Sequence, residues 1–167
     1  LLGFDACVMQ MYEVGYELSL IADPPDIMVG SEDNVPGYGW PYDAILSFLV
    51  AAPSSTAEAL AAEMVAVYMA EYPSTWTLTL SGAELPPASA LSSGIHNLAA
   101  ALIASDYPSA VLDARAAAQR FSETDYRDLA HFCELVIAEV PDCATPAQAV
   151  KDLVTSMVLA EDHTTGT

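Results

Sequence analysis

Gly3-Phe4-Asp5-Ala6-Cys7-Val8-Met9-Gln10-Met11-Tyr12-Glu13-Val14-Gly15-Tyr16-Glu17-Leu18 is the stretch whose reading sets the fold class. Leu1 to Phe4 has the character of the end of a buried strand, apolar with one glycine. From about Val8 the pattern turns helical: Gln10, Glu13 and Glu17 make one narrow polar stripe at i, i+3 and i+7, and most other positions are apolar. A helix over about Val8–Ala22 is expected, stopped by Asp23-Pro24-Pro25. Cys7 falls at the junction, where open α/β sheets place their chemistry, in the crevice beyond the carboxyl ends of the strands. A helix starting there would bring its N-terminus close to the sulfur, a setting that favours thiolate. Alternation along the strand puts Asp5 on the same side as Cys7. Residue types alone leave a second reading open. Cys7 is then a buried, inert thiol and Asp5 a loop carboxylate accepting backbone N–H groups.

Working outward, Asp26 to Ser31 contains the apolar run Ile27-Met28-Val29 and reads as a short buried strand. It leads into Glu32-Asp33-Asn34 and the Gly- and Pro-dense loop Pro36-Gly37-Tyr38-Gly39-Trp40-Pro41. Tyr38 and Trp40 in such a loop are read as exposed for recognition, with packing on the next helix as the rival. That helix is expected at about Tyr42–Ala51, with Ile45, Leu46 and Leu49 facing inward. Ser55-Thr56-Ala57-Glu58 fits a capping box opening a helix lined by Leu60, Met64, Val67 and Tyr68 and closed by Pro73. Trp76-Thr77-Leu78-Thr79-Leu80 alternates and reads as a half-buried strand.

The remainder reads as helical. Ile95, Leu98 and Leu102 mark one helix, and Pro108 opens the next. A third carries Leu129, Phe132, Cys133, Val136, Ile137 and Val140. Thr145-Pro146-Ala147-Gln148 reads as a second capping box, opening a helix that runs through Val158, with Asp162–Thr167 frayed. Three strands, around residues 1–6, 26–31 and 76–80, give an α/β fold with a parallel sheet small for so many helices.

Composition bounds the function. The 167 residues, 53% hydrophobic, suit one domain with a substantial core. A net charge of −19, from 23 acidic residues against four basic ones, argues against nucleic acid and suits basic peptides or cations. Solubility, or adaptation to a salty environment, explains the same charge. Three cysteines do not make a disulfide framework. Cys133 belongs to an apolar face and reads as core. Cys143 lies beside Asp142, and a Cys133–Cys143 bridge is conceivable without being demanded. No apolar run reaches the length of a membrane span.

Several motifs together resemble the clostripain family of cysteine peptidases. They are Gly3-Phe4-Asp5-Ala6-Cys7, Tyr12-Glu13-Val14-Gly15-Tyr16-Glu17-Leu18, Val29-Gly30-Ser31-Glu32-Asp33 and Pro36-Gly37-Tyr38-Gly39-Trp40-Pro41-Tyr42-Asp43. Ala114-Arg115, Gln119-Arg120-Phe121 and Asp125-Tyr126-Arg127-Asp128-Leu129 extend the match over most of the chain. The resemblance implies a caspase-like three-layer fold with a mostly parallel sheet, the rest of it upstream of Leu1. Residues 1–167 would then be a partial peptidase domain, with the nucleophile-bearing α/β part at 1–81 and a mainly helical part at 82–167.

It further implies Cys7 as nucleophile and Asp5 as the carboxylate that receives Arg or Lys of a peptide substrate. Glu32, Asp33 and Trp40 are additional candidates for substrate binding. The family's base is a His followed by Gly on the preceding strand. None of the three histidines here suits that role: His96 lies within a helix, His131 on a polar helix face and His163 in the tail. The base is therefore expected upstream, and the present chain is expected to be inactive alone. Family members are often calcium-stimulated, and Glu32 and Asp33 offer oxygen ligands, yet no EF-hand-like spacing is present. The chemistry itself requires no cofactor. The expected partners are peptides or proteins with Arg or Lys and the upstream half of the same domain. A secreted or cell-surface location follows from the resemblance. The alternative function is a non-catalytic acidic module that holds basic peptides without cutting them.

Overall fold

The computed structural model describes residues 1–85 and 88–165. Two compact units emerge: Leu1–Leu85 with Val158–Thr167, and Pro86–Met157.

The first unit is built on a sheet ordered β1 (Leu2–Gly3), β2 (Ile27–Gly30), β3 (Thr77–Glu84) and β4 (Val158–Thr165), with helices α1 (Tyr12–Ser19), α2 (Tyr42–Ala51) and α3 (Ala57–Glu71). β2 is buried at every position, as a continuous apolar run requires. β3 alternates at its start, sending Leu78 and Leu80 into the core and Thr77 and Thr79 to the opposite face. α3 supplies Ala61, Met64, Val65 and Tyr68 to that core. Thr56 caps α3 by accepting the Ala59 N–H at 3.3 Å.

Several expectations need correction. The sheet is mixed rather than mostly parallel: β1 and β2 are parallel, but β3 is antiparallel to both β2 and β4. β4 takes in residues 162–165 of the tail expected to fray, whose last two residues lie outside those described, and the last helix ends at Met157 instead of passing through Val158. The polar part of β4 from Glu161 on escapes periodicity because backbone pairing to β3 holds it, and Thr164 Oγ1 adds a hydrogen bond to the Trp76 carbonyl. α1 starts at Tyr12, four residues later than expected, because the Gln10 N–H bonds the Ser31 carbonyl and Met11 is extended. Leu46 faces out, 56% exposed, while Ile45 is buried.

Gly3 is required by packing. A Cβ there would lie 2.8 and 2.9 Å from Cζ3 and Cη2 of Trp40 and 3.2 Å from Cε of Met64. Both neighbours are buried and have little room to yield. Gly3→Ala is expected to lower stability by about 1–3 kcal/mol, read as a lower urea midpoint at unchanged m-value. An unchanged midpoint would show that Trp40 can move aside.

The second unit packs α4 (Ala88–Ala104), α5 (Pro108–Ala117), α6 (Leu129–Glu139) and α7 (Ala144–Met157), with a 3-10 turn at Pro141–Cys143. That turn runs directly into α7, so Thr145 lies inside the helix and the second capping box does not form. Leu98, Cys133, Val136, Val140, Cys143, Ala147 and Val150 are buried. Cys133 and Cys143 are free thiols. Burial, with Asp128 adding to it, pushes the Cys133 thiol up to about 11. The family-like residues of this unit form the joint between α5 and α6. Arg127 Nε donates to the Arg115 carbonyl at 3.0 Å, and Asp128 caps α6 by accepting the His131 N–H at 2.5 Å.

Candidate functional site

Past β1, the Phe4 N–H still bonds the Val29 carbonyl at 2.9 Å. The chain then leaves the sheet and turns back on itself. Val8 donates to the Asp33 carbonyl at 3.0 Å, and Gln10 donates to the Ser31 carbonyl at 3.0 Å, two residues back along the same loop. The reversal is made at Val8, whose φ of 52° lies in the left-handed region. For a β-branched residue this costs on the order of 1–3 kcal/mol and persists only when the surroundings fix it.

Cys7 precedes this strained residue and is exposed. Its sulfur accepts the Val35 N–H at 3.3 Å and lies 3.9 Å from the Val35 carbonyl. The expected helix N-terminus is not beside the sulfur, since α1 begins five residues further on. The loop after β2, not a helix, forms the thiol's setting.

Asp5 is exposed and anchored on one side. Its Oδ2 accepts the Trp40 N–H at 3.2 Å and the Tyr42 hydroxyl at 3.0 Å. Gly39, at φ 76°, brings the loop so close that a Cβ there would lie 2.7 Å from Oδ2. The Tyr72 hydroxyl holds the Gly39 carbonyl from the other side. Partial burial raises the Tyr42 pKa, and the hydrogen bond to Asp5 and its negative charge raise it further. The described hydrogen bonds of Asp5 fall on Oδ2, and the one from Trp40 is the backbone N–H contact expected of a loop carboxylate.

Trp40 is not a surface recognition residue. It is 6% exposed, its ring against Gly3 and Met64, and it serves Asp5 through its backbone. Tyr38, its neighbour in the loop, is 88% exposed. Asp33 is buried, with Oδ1 accepting the Asn34 N–H at 2.7 Å. The Glu32 N–H bonds Thr79 Oγ1 at 3.0 Å. Among the described residues, no group of three or more His, Cys, Asp or Glu is placed to hold a metal ion.

The histidines are engaged elsewhere or exposed. His131 Nδ1 accepts the Gln119 N–H at 3.1 Å, and His163, on β4 and not in a frayed tail, has Nδ1 3.6 Å from Glu161. His96 is exposed on α4. Tyr42, Tyr72, Val35 and Thr79 escaped sequence reading as contributors to this site. Tyr42 was legible only as the residue after Trp40-Pro41, and the others act through contacts between distant segments.

The sequence matches the clostripain family of peptidases over residues 1–162. The chain belongs to the clostripain family. No curated protein matches it. Among solved structures, it is similar to a clostripain from Bacteroides thetaiotaomicron in complex with the peptide inhibitor BTN-VLTK-AOMK. That pair shares 22% identity with a TM-score of 0.62, over 97% of this chain and 66% of that one. A secreted C11 cysteine protease from the same organism, in complex with an irreversible peptide inhibitor, shares 24% identity with a TM-score of 0.67, over 97% and 44%. An inactive zymogen C11 protease from Parabacteroides distasonis shares 17% identity with a TM-score of 0.68, over 97% and 43%. These likenesses establish a common fold, and the clostripain-family chain spans between 43% and 66% of the three structures.

Proposed function

We propose that this chain carries the nucleophile and the cation-binding carboxylate of a cysteine endopeptidase that cleaves after Arg or Lys. The observation that carries this reading is that Asp5 and Cys7 are both exposed on the segment leaving β1, with the described hydrogen bonds of Asp5 on Oδ2. A guanidinium or ammonium group meets Asp5 Oδ1 and presents the adjoining carbonyl carbon to Cys7. A histidine takes the thiol proton as the sulfur attacks that carbon, the C–N bond breaks as the amine leaves with that proton, and water hydrolyses the thioester to free the acid and the thiol. The histidine lies outside these 167 residues, on a strand that docks beside β1 and extends the sheet towards the caspase-like three-layer arrangement. Inhibitor peptides bound to two solved relatives support a peptide substrate, and the VLTK peptide supports a lysine in it. The net charge of −19 draws basic substrates to the surface, less so as salt rises. Relatives described as secreted favour the same location here.

The test compares Arg and citrulline at the cleavage position, which differ in charge and little in shape. Asp5→Asn is expected to lower kcat/KM for the Arg substrate on the order of 10²-fold, the scale of one charge-assisted hydrogen bond. The citrulline substrate should change by only a few-fold. An Arg-to-citrulline ratio unchanged by Asp5→Asn would remove Asp5 from the specificity role.

A further inference from the structure

We propose that Thr79 on β3 is a positioning residue for Cys7, acting through the loop that follows β2. This rests on the reading of Cys7 as nucleophile. Thr79 belongs to another strand, 72 positions along the chain from Cys7, and its hydroxyl gathers that whole loop. Its Oγ1 accepts the Glu32 N–H at 3.0 Å and the Asp33 N–H at 3.2 Å, and it lies 2.9 Å from Ser31 Oγ. A hydroxyl has two acceptor sites and one proton. With both acceptor sites facing N–H groups, the Thr79 proton is directed at Ser31 Oγ. Ser31 is fully buried, and its Oγ also faces the Asp33 N–H at 3.1 Å. The segment Ser31–Asp33 is thus fixed through both its side chain and its backbone.

The carbonyls of that segment are the ones that hold the turn behind the nucleophile. The Asp33 carbonyl takes the Val8 N–H and the Ser31 carbonyl takes the Gln10 N–H. Val8 keeps its positive φ only while those bonds hold it, and Cys7 is its immediate neighbour. Two residues beyond Asp33, the Val35 N–H points at the Cys7 sulfur. One hydroxyl therefore fixes both the backbone turn and the sulfur's hydrogen-bond partner. A displacement of the order of 1 Å at a nucleophile lowers turnover about 10²-fold.

The experiment uses the complete protease, a fluorogenic Arg–amide substrate and a peptidyl-Arg chloromethyl ketone. Thr79→Val keeps shape and removes the hydroxyl. It is expected to lower kcat about 10-fold or more with KM within roughly threefold. Thr79→Ser keeps the hydroxyl and is expected to restore kcat to within roughly threefold of the parent. In a Val8→Gly background the Thr79→Val effect should shrink, because glycine adopts positive φ without being held there. Ser31→Ala, which leaves β3 intact, should lower kcat in the same direction if Thr79→Val does not fold. An unchanged kcat in Thr79→Val, a rise in KM alone, or equal losses in the parent and Val8→Gly backgrounds would overturn the proposal while Cys7 remains labelled. Failure of the chloromethyl ketone to label Cys7 in the parent protein would instead overturn the reading on which it rests.

Discussion

A peptidyl-Lys chloromethyl ketone is expected to label Cys7 in the native full-length protein and to leave Cys133 and Cys143 unmodified. The three thiols differ in access, and the two buried ones are also held in the unreactive neutral form. Cys7 is exposed, two residues from the exposed Asp5 that is proposed to take the reagent's cation. Cys133 and Cys143 are both 0% exposed. Cys133 is pushed up to about 11, chiefly by burial. Cys143 is raised by burial and then by the charge of Asp142. Both stay as neutral thiols at pH 7, and unfolding should be needed before they react. Cys7→Ala should abolish labelling and lower amide hydrolysis by roughly 10⁴-fold or more, the scale seen when a catalytic nucleophile is removed. Peptide mapping of the labelled protein settles the site. Label spread evenly over the three cysteines would deprive Cys7 of any special setting.

The parts of this site legible in the sequence were those written in one continuous stretch. Gly3 to Leu18 announced a strand end, a thiol and a helix, and the structure contains β1, Cys7 and α1 in that order. The run Ile27-Met28-Val29 announced β2, and Tyr42–Ala51 is the helix expected there. What escaped depends on pairings between distant segments. Trp40 looked like a recognition residue because it lies in a Gly- and Pro-rich loop, yet the absence of a side chain at Gly3 lets its ring lie against β1. Period-3.6 apolarity suggested that the helix begins at Val8. Backbone bonds to Ser31 and Asp33 override it there, because a turn fixed by tertiary contacts outweighs helix propensity. The strand β4 was hidden because its apolar start, Val158-Leu159-Ala160, continues the pattern of the preceding helix, and its polar remainder is held by backbone pairing to β3.

These 167 residues alone are expected to hydrolyse Arg– and Lys–amide substrates at a rate indistinguishable from that of their Cys7→Ala variant. A cysteine peptidase needs a base in hydrogen-bond reach of its thiol. The described hydrogen bonds of Cys7 go to the backbone of Val35 and none goes to a histidine. His163 shares the sheet with β1, but β4 is separated from β1 by β2 and β3, about 14 Å at ordinary strand spacing. His131 already takes the Gln119 N–H on Nδ1. A longer chain whose added strand ends in His-Gly should supply the base and dock on the edge of β1 that no described strand covers. The measurement is hydrolysis of a fluorogenic Arg–amide by the 167-residue chain, by the longer chain and by each with Cys7→Ala. Activity in the 167-residue chain that disappears with His163→Ala or His131→Ala would place the base inside this sequence. A longer chain that folds and binds Arg peptides without cutting them would make the acidic turn a peptide-holding module, with Asp5 retaining its role and Cys7 losing its own.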